Sequence, residues 1–368
     1  MIPIADPVIS KRAEQYVKST LKDGWVSSKG PVVGKFENAF ASFVGTQYGV
    51  ATNSGTSAIH LSLAALGIGP GDHVIVPTLT MIATVLPVLY LGATPIFVDV
   101  ENNTGNIDCD LAESAITPKT RAIIAVHLHG HPADIDSLLA ISKRHGIAIV
   151  EDAAEAHGAE YKGKRVGATG ETGCFSFYAN KIITTGEGGM AVTNNKKLAD
   201  RMRSLANLAR APGKHFVHTE IGFAYRMGSL QAALGLGQLE QVNRWIQKKK
   251  HIAREYRKQL HDIDEIILPQ ERPYAKSVWW HYGIRLPTKR IRDRVSTYLA
   301  DHAIETRTFF VPLHLQPIFK SKRPKKNLQF PASETLSEQG LCLPSGLSLT
   351  KKEIEKVCIT LRGALKRV

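Results

Sequence analysis

The stretch IAIVEDAAEAHGA, residues 147–159, opens with four apolar residues and turns polar at Glu151 and Asp152. Such a run reads as a strand, and the carboxylates mark its carboxyl end, the edge of an open α/β sheet at which ligands bind. Working outward, GVAT (49–52), HVIVP (73–77), PIFVDV (95–100) and RAIIAVH (121–127) read as strands before it. GCFSFY (173–178) and GGMAVTN (188–194) read as two more after it, flanking an irregular segment. Residues 58–67, 82–92 and 134–145 are long and regular enough to be crossover helices. This alternation predicts an α/β protein whose mostly parallel central sheet is covered by helices on both faces.

The flanks add a second unit. Ile9, Ala13, Val17 and Leu21 recur every fourth residue and predict an amphipathic N-terminal helix that stops near Gly24. Residues 197–210 look helical. Residues 228–263 contain no proline and read as one long helix or a bent pair, a natural bridge between domains. The strand-like WWHYGIRL (279–286), a helix over 290–302 and a final helix from Lys351 form a smaller α+β domain. The expected division is a large domain over 1–245 and a small one over 246–368. A chain of 368 residues, 43% hydrophobic, can bury both cores.

A formal charge of +14 invites a nucleic-acid reading, and clustering is the test of it. The basic residues are spread out, with local runs at 248–250 and 320–326 and no interleaved aromatic residues, so they read as solvated faces and a loop. A positive field would draw in polyanionic small molecules such as nucleotide diphosphates. The four cysteines, Cys109, Cys174, Cys342 and Cys358, show neither zinc-site pairing nor the density of a disulfide scaffold, which predicts a reducing, cytoplasmic setting. No stretch approaches the roughly 20 apolar residues that span a bilayer, and no basic-then-apolar leader opens the chain. A soluble protein with neither membrane nor nucleic-acid partner is expected.

Three segments carry chemistry. Asp152 points toward the pocket expected at the strand end, or else caps the following helix. In GCFSFYANKIITTGEGGM, Lys181 follows Ser176 and precedes a glycine cluster inside an apolar segment. Burial disfavours the charged amine and leaves the neutral form a Schiff-base nucleophile requires; the alternative is a lysine snorkelling from a turn. In NSGTSAI (53–59), a tight turn enters a helix whose first N–H groups suit a phosphate dianion, unless Ser54, Thr56 or Ser57 serves only as an N-cap. A phosphate turn, an acid and a buried lysine together are what pyridoxal 5'-phosphate (PLP) requires.

NSGTSAIHLSL, GATPIFVDV, VEDAAEAHGA, FSFYANKIITTGEGGMAVT, GFAYRMGSLQAALGLGQLE and FFVPLHLQP together resemble the DegT/DnrJ/EryC1/StrS sugar aminotransferases, from near Ile4 to the C-terminus. The resemblance implies the type I, aspartate aminotransferase-like fold and a reaction in which glutamate converts PLP to pyridoxamine phosphate, which then aminates a nucleotide-linked keto sugar. It implies Lys181 as cofactor carrier and proton shuttle, Gly55, Thr56 and Ser176 at the phosphate, Asp152 at the pyridine nitrogen and Glu155 at the ring hydroxyl edge. Arg307 and His314 would lie near the sugar or its diphosphate, and Arg226 would come from the second subunit of a homodimer with shared sites. Their alternatives are a solvated arginine and a satisfied histidine.

Two positions depart from the family. Met81 stands where many relatives carry an aromatic residue on the cofactor face; its thioether covers that face less rigidly. Ala224 stands where many carry asparagine at a cross-subunit phosphate contact, which Thr184, Thr185 or a water would have to replace. GWVSSKGPVV (24–33), Glu155, AKSVWWHYGI (275–284) and IETRTFFVPLH (304–314) are most similar to members that aminate C4 of GDP-4-keto-6-deoxymannose for surface polysaccharide. UDP- or dTDP-linked sugars, and amination at C3, stay open. In sugar 3-dehydratase relatives a histidine replaces the lysine, so Lys181 implies transamination; an idle regulatory protein of this fold would also be expected to lack it.

Overall fold

The computed structural model of the protein describes residues 1–214, 216–322 and 329–367. Its central sheet has seven strands: β1 (Tyr48–Thr52), β2 (His73–Pro77), β3 (Thr94–Val98), β4 (Thr120–Val126), β5 (Ala148–Asp152), β6 (Thr172–Ser176) and β7 (Gly189–Thr193). Their order is β1-β7-β6-β5-β4-β2-β3. β5 pairs parallel with β4 and β6, and β2 parallel with β3 and β4. β7 alone runs against its neighbours, antiparallel to both β1 and β6.

The strands are largely apolar because both faces of the sheet are packed over most of its width. Val74, Val76, Ala122, Ile124 and Val126 pack with Ala58 and Leu61 of the helix Gly55–Ala65 and Met202 of Lys196–Ala206. The alternate residues Ile75, Ile123, Ala125 and Ile149 pack on the other face with Leu138 and Ile141 of Ile135–His145. Toward β1, Ala51, Phe175 and Val192 meet Phe36 and Phe40 of the helix Pro31–Val44. That helix is absent from the sequence reading, although Pro31 in its first turn is where proline fits a helix.

Other differences have local causes. The crossover over 82–92 is a 3-10 turn, Ile82–Thr84, followed by a short helix, Leu86–Tyr90. Pro87 is compatible only with a helix's first turn, so the segment restarts there. The N-terminal helix Lys11–Lys22 buries Ala13 and Thr20 and leaves Ile9 and Leu21 exposed. Ala13 faces Gly237 so closely that a Cβ at 237 would lie 2.4 Å from Ala13 Cα, so contact there depends on small residues and not on the larger apolar ones.

Residues 228–263 form the bent alternative, Ser229–Leu239 and Val242–Leu260. The second helix places Trp245 and Ile246 in the core cluster that includes Phe36 and Phe40. Farther along it, Ile252, Tyr256 and Leu260 enter another cluster. That cluster draws on β8 (Tyr282–Arg285) and β10 (Gly340–Leu343), with Lys289–Asp301 and Lys351–Leu365; the exposed β9 (Arg307–Thr308) pairs with β10 to complete a three-stranded antiparallel sheet.

On the same bridging helix the reading of 248–250 as a solvated run is corrected at Lys249. Its side chain is buried, and its amine donates to Trp280 O at 2.7 Å and to Ser345 O. The other basic run, 320–326, lies outside the described residues from 323 onward, as do the side chains of 320–322. The four cysteines are free. Among the described residues no helix is long and apolar enough to cross a membrane.

Candidate active site

The carboxyl ends of β5 and β6, the loop joining β6 to β7 and the turn after β1 surround a cavity of about 340 Å³. At the turn, Ser54 is the N-cap of Gly55–Ala65: its hydroxyl accepts from Ser57 N at 3.1 Å and its carbonyl from Ala58 N at 3.1 Å. The N–H groups of Gly55 and Thr56 have no acceptor among the described residues and stand on the cavity wall. Capping and anion binding therefore coexist, because the cap takes only the later donors. Glycine is required here: a Cβ at 55 would lie 2.8 Å from Ser176 Cβ, and one at 189 would lie 2.2 Å from Ser54 O.

Two consecutive carboxylates end β5 on opposite faces of the sheet. Glu151 turns away from the cavity and accepts from His127 Nε2 at 3.0 Å, Gly167 N at 2.6 Å, and Thr169 N and Gly170 N at 2.8 Å each. Burial pushes its pKa up, but these donors outweigh burial and hold it below the usual range. Asp152 turns into the cavity, where among the described residues its carboxylate accepts from the Thr84 hydroxyl at 2.8 Å and Ala154 N at 3.2 Å. Burial raises its pKa. A protonated ring nitrogen would supply what this carboxylate lacks.

Lys181 sits in the β6–β7 loop, its N–H donating to Tyr178 O at 2.9 Å. Its side chain is 11% exposed, and its amine lies 4.0 Å from Glu155 Oε1 and 3.8 Å from the centroid of the Trp280 ring. The amine makes no hydrogen bond among the described residues. Burial lowers its pKa, opposed by Glu155 and Asp152. Glu155 is pushed up to about 7 by burial, opposed by Lys181, and its Oε2 accepts from His129 N at 2.8 Å.

Of the ten residues singled out in the sequence, eight meet at this cavity: Gly55, Thr56, Met81, Asp152, Glu155, Ser176, Lys181 and Arg307. Met81 is 49% exposed. Arg226 and His314 are not on its wall. Arg226 is exposed and donates to Asn207 Oδ1 at 2.9 Å. The His314 ring bonds Thr78 Oγ1 at 2.8 Å and Glu334 Oε1 at 3.0 Å and stacks on Phe330. The hydroxyls of Thr184 and Thr185 are committed to Phe177 O and Glu187 O.

Residues the sequence reading left out of the site also line it. Thr84 carries no sequence signal, whereas Trp280 belongs to an adjacent tryptophan pair in a chain with 4 tryptophans. Asn180 brings a buried Oδ1 with no partner among the described residues. PLP fits this arrangement: free N–H groups and Ser176 suit its phosphate, Asp152 its ring nitrogen, and Lys181 its aldehyde carbon.

Comparisons with known proteins agree with that chemistry. The sequence profile described as the DegT/DnrJ/EryC1/StrS aminotransferase family matches residues 7–362. A GDP-perosamine synthase of Escherichia coli O157:H7 is 42% identical over 97% of this chain and 96% of its own length. A dTDP-3-amino-3,4,6-trideoxy-alpha-D-glucose transaminase of Streptomyces venezuelae is 39% identical over 92% of this chain and 88% of its own. The crystal structure of S. venezuelae DesV in complex with a ketimine intermediate superposes with a TM-score of 0.91 at 38% identity, covering 97% of this chain and 95% of that one.

Proposed function

The chain belongs to the DegT/DnrJ/EryC1/StrS aminotransferase family and is a PLP-dependent sugar aminotransferase, and from that premise we propose that it aminates C4 of GDP-4-keto-6-deoxymannose with glutamate as donor, yielding GDP-perosamine for a surface polysaccharide such as O-antigen. The 42% identity to a GDP-perosamine synthase across nearly the full length of both chains carries the choice of substrate.

The bound cofactor supplies an electron sink that holds the amino group between donor and acceptor. The chain's own residues do the rest. Gly55 N–H, Thr56 N–H and the Ser176 hydroxyl would hold the phosphate, and Asp152 would keep the ring nitrogen protonated. With the group bound, Lys181 would be the residue that attaches it and the one placed to carry a proton to and from the reacting sugar carbon. Burial lowers its pKa, opposed by Glu155 and Asp152, which favours the neutral amine a base requires. Glu155 would stand at the ring hydroxyl edge, Met81 would cover the ring, and Arg307, exposed on the cavity wall, would meet the sugar diphosphate. In this reading the protein works in the cytoplasm as a homodimer, with Arg226 of one protomer reaching the site of the other. Arg226 is suited to that by being exposed and bridged to Thr52, just before the phosphate turn.

The test is an absorbance spectrum of purified protein with PLP before and after glutamate, followed by mass analysis after adding GDP-4-keto-6-deoxymannose. A donor-dependent spectral change and a GDP-linked amino sugar are expected. A spectral change without product overturns the GDP assignment and favours a dTDP sugar, as for the relative 39% identical to this chain.

A further inference from the structure

Trp280 stands between the reacting lysine and the bridging helix. Its ring centroid is 3.8 Å from Lys181 Nζ, closer than the nearest carboxylate oxygen at 4.0 Å. The same indole donates its N–H to Asn180 O at 2.8 Å, the carbonyl of the residue just before Lys181. One side chain thus grips both the backbone beside the lysine and the amine at its end. Trp280 is 2% exposed and is fixed in turn: its N–H donates to His129 O at 3.0 Å and its carbonyl accepts from Lys249 at 2.7 Å.

A ring face attracts an ammonium through its quadrupole and offers much less to a neutral amine. Trp280 therefore distinguishes the two protonation states of Lys181. We propose that Trp280 is a positioning residue that holds the released Lys181 side chain as an ammonium beside the cofactor pocket. This rests on the aminotransferase reading above and adds to it: the ring parks the lysine in its proton-carrying form, and the Asn180 bond keeps the loop from drifting.

Other groups act on the same amine. Glu155 and Asp152 favour its charge, Arg307 opposes it, and His129, His157 and His281 are buried close enough to interact with it. All six are retained in the variants below, so a change on altering Trp280 reports the ring.

The experiment follows Lys181 itself. In the full-length protein without PLP, the rate of amine acylation at Lys181 is measured against pH by peptide mass spectrometry, with Lys181→Ala as blank. Trp280→Leu is expected to lower the Lys181 pKa by about one unit, and Trp280→Phe, which keeps a ring face, by less. Fluorinated tryptophans placed at 280 keep the shape and drain the ring face; a graded fall with fluorine number is expected, and this series decides the matter if Trp280→Leu fails to fold. An unmoved Lys181 pKa across the series would falsify the proposal. Borohydride tagging of the PLP-loaded protein separates the two ideas: a tag elsewhere than Lys181 overturns the aminotransferase assignment of that lysine, while the acylation series still reads the ring.

Discussion

Lys181 and Lys249 both have side chains withdrawn from water, and both touch Trp280, one at its ring and the other at its carbonyl. Lys249 spends its amine on two carbonyls, Trp280 O and Ser345 O. Lys181 has a ring face and a carboxylate at 4.0 Å, and no hydrogen bond among the described residues. Burial alone therefore does not mark the reactive group. What separates them is whether the fold has satisfied the amine: a buried donor left without an acceptor costs stability, and the cost is tolerated where a ligand completes the site.

The comparison breaks if the two lysines respond alike to removal. Lys181→Ala should lower turnover by roughly 10³-fold or more and abolish the absorbance band of lysine-linked PLP. Its chemical-denaturation midpoint should stay near that of the parent, because the lost amine leaves no hydrogen-bond acceptor deprived among the described residues. Lys249→Met should do the reverse, lowering stability by about 2–4 kcal/mol through two deprived buried carbonyls while leaving the PLP band in place. Urea melts of both variants beside the spectra check this.

A smaller effect sharpens the contrast. Burial holds the Lys249 amine down to about 7 against an ordinary value of 10.5, with Asp6 opposing. From pH 7 to 10.5 the unfolded chain binds this proton and the folded chain does not, so the parent's stability rises with pH in that window. The slope for one such group is at most about 1.4 kcal/mol per unit. Subtracting the Lys249→Met melt curve isolates it: the parent's advantage should widen from pH 7 upward and level off near 10.5. A constant gap would mean that Lys249 stays charged in the fold.

The strands were legible because burial on both faces writes them as short apolar runs. HVIVP coincides with β2, and the other strands of the central sheet agree within two residues at either end, whereas WWHYGIRL begins three residues before β8. Lys181, Asp152 and the Gly55 turn were legible for a related reason, since each is a polar break in an apolar segment next to a strand end. Trp280 was marked only by the adjacent tryptophan pair, and its place at the site was not legible, because its bond to Asn180 spans 100 positions. Lys249 was hidden by its charged neighbours, although Trp245, Ile246, Lys249, Ile252, Ala253 and Tyr256 form a helical stripe that places it inward. Ile9 and Leu21 misled because the large apolar members of a periodic pattern do not determine which residues pack where small ones let backbones approach.

The reversal of β7 sets an order in time. Since β6 and β7 are antiparallel neighbours, with Ser176 opposite Gly189, the loop holding Lys181 closes as a hairpin. Trp280 arrives over the hundred-residue separation of its bond to Asn180. That is about three doublings of loop length beyond the hairpin, or about 2 kcal/mol more closure entropy to overcome. Our hypothesis is that during refolding the nucleophile is placed before the ring that steadies it. Pulsed hydrogen exchange should then protect the amide of Phe177, which donates to Gly188 O at 2.9 Å across the hairpin, ahead of Trp280; simultaneous protection would show that both are fixed in a single step.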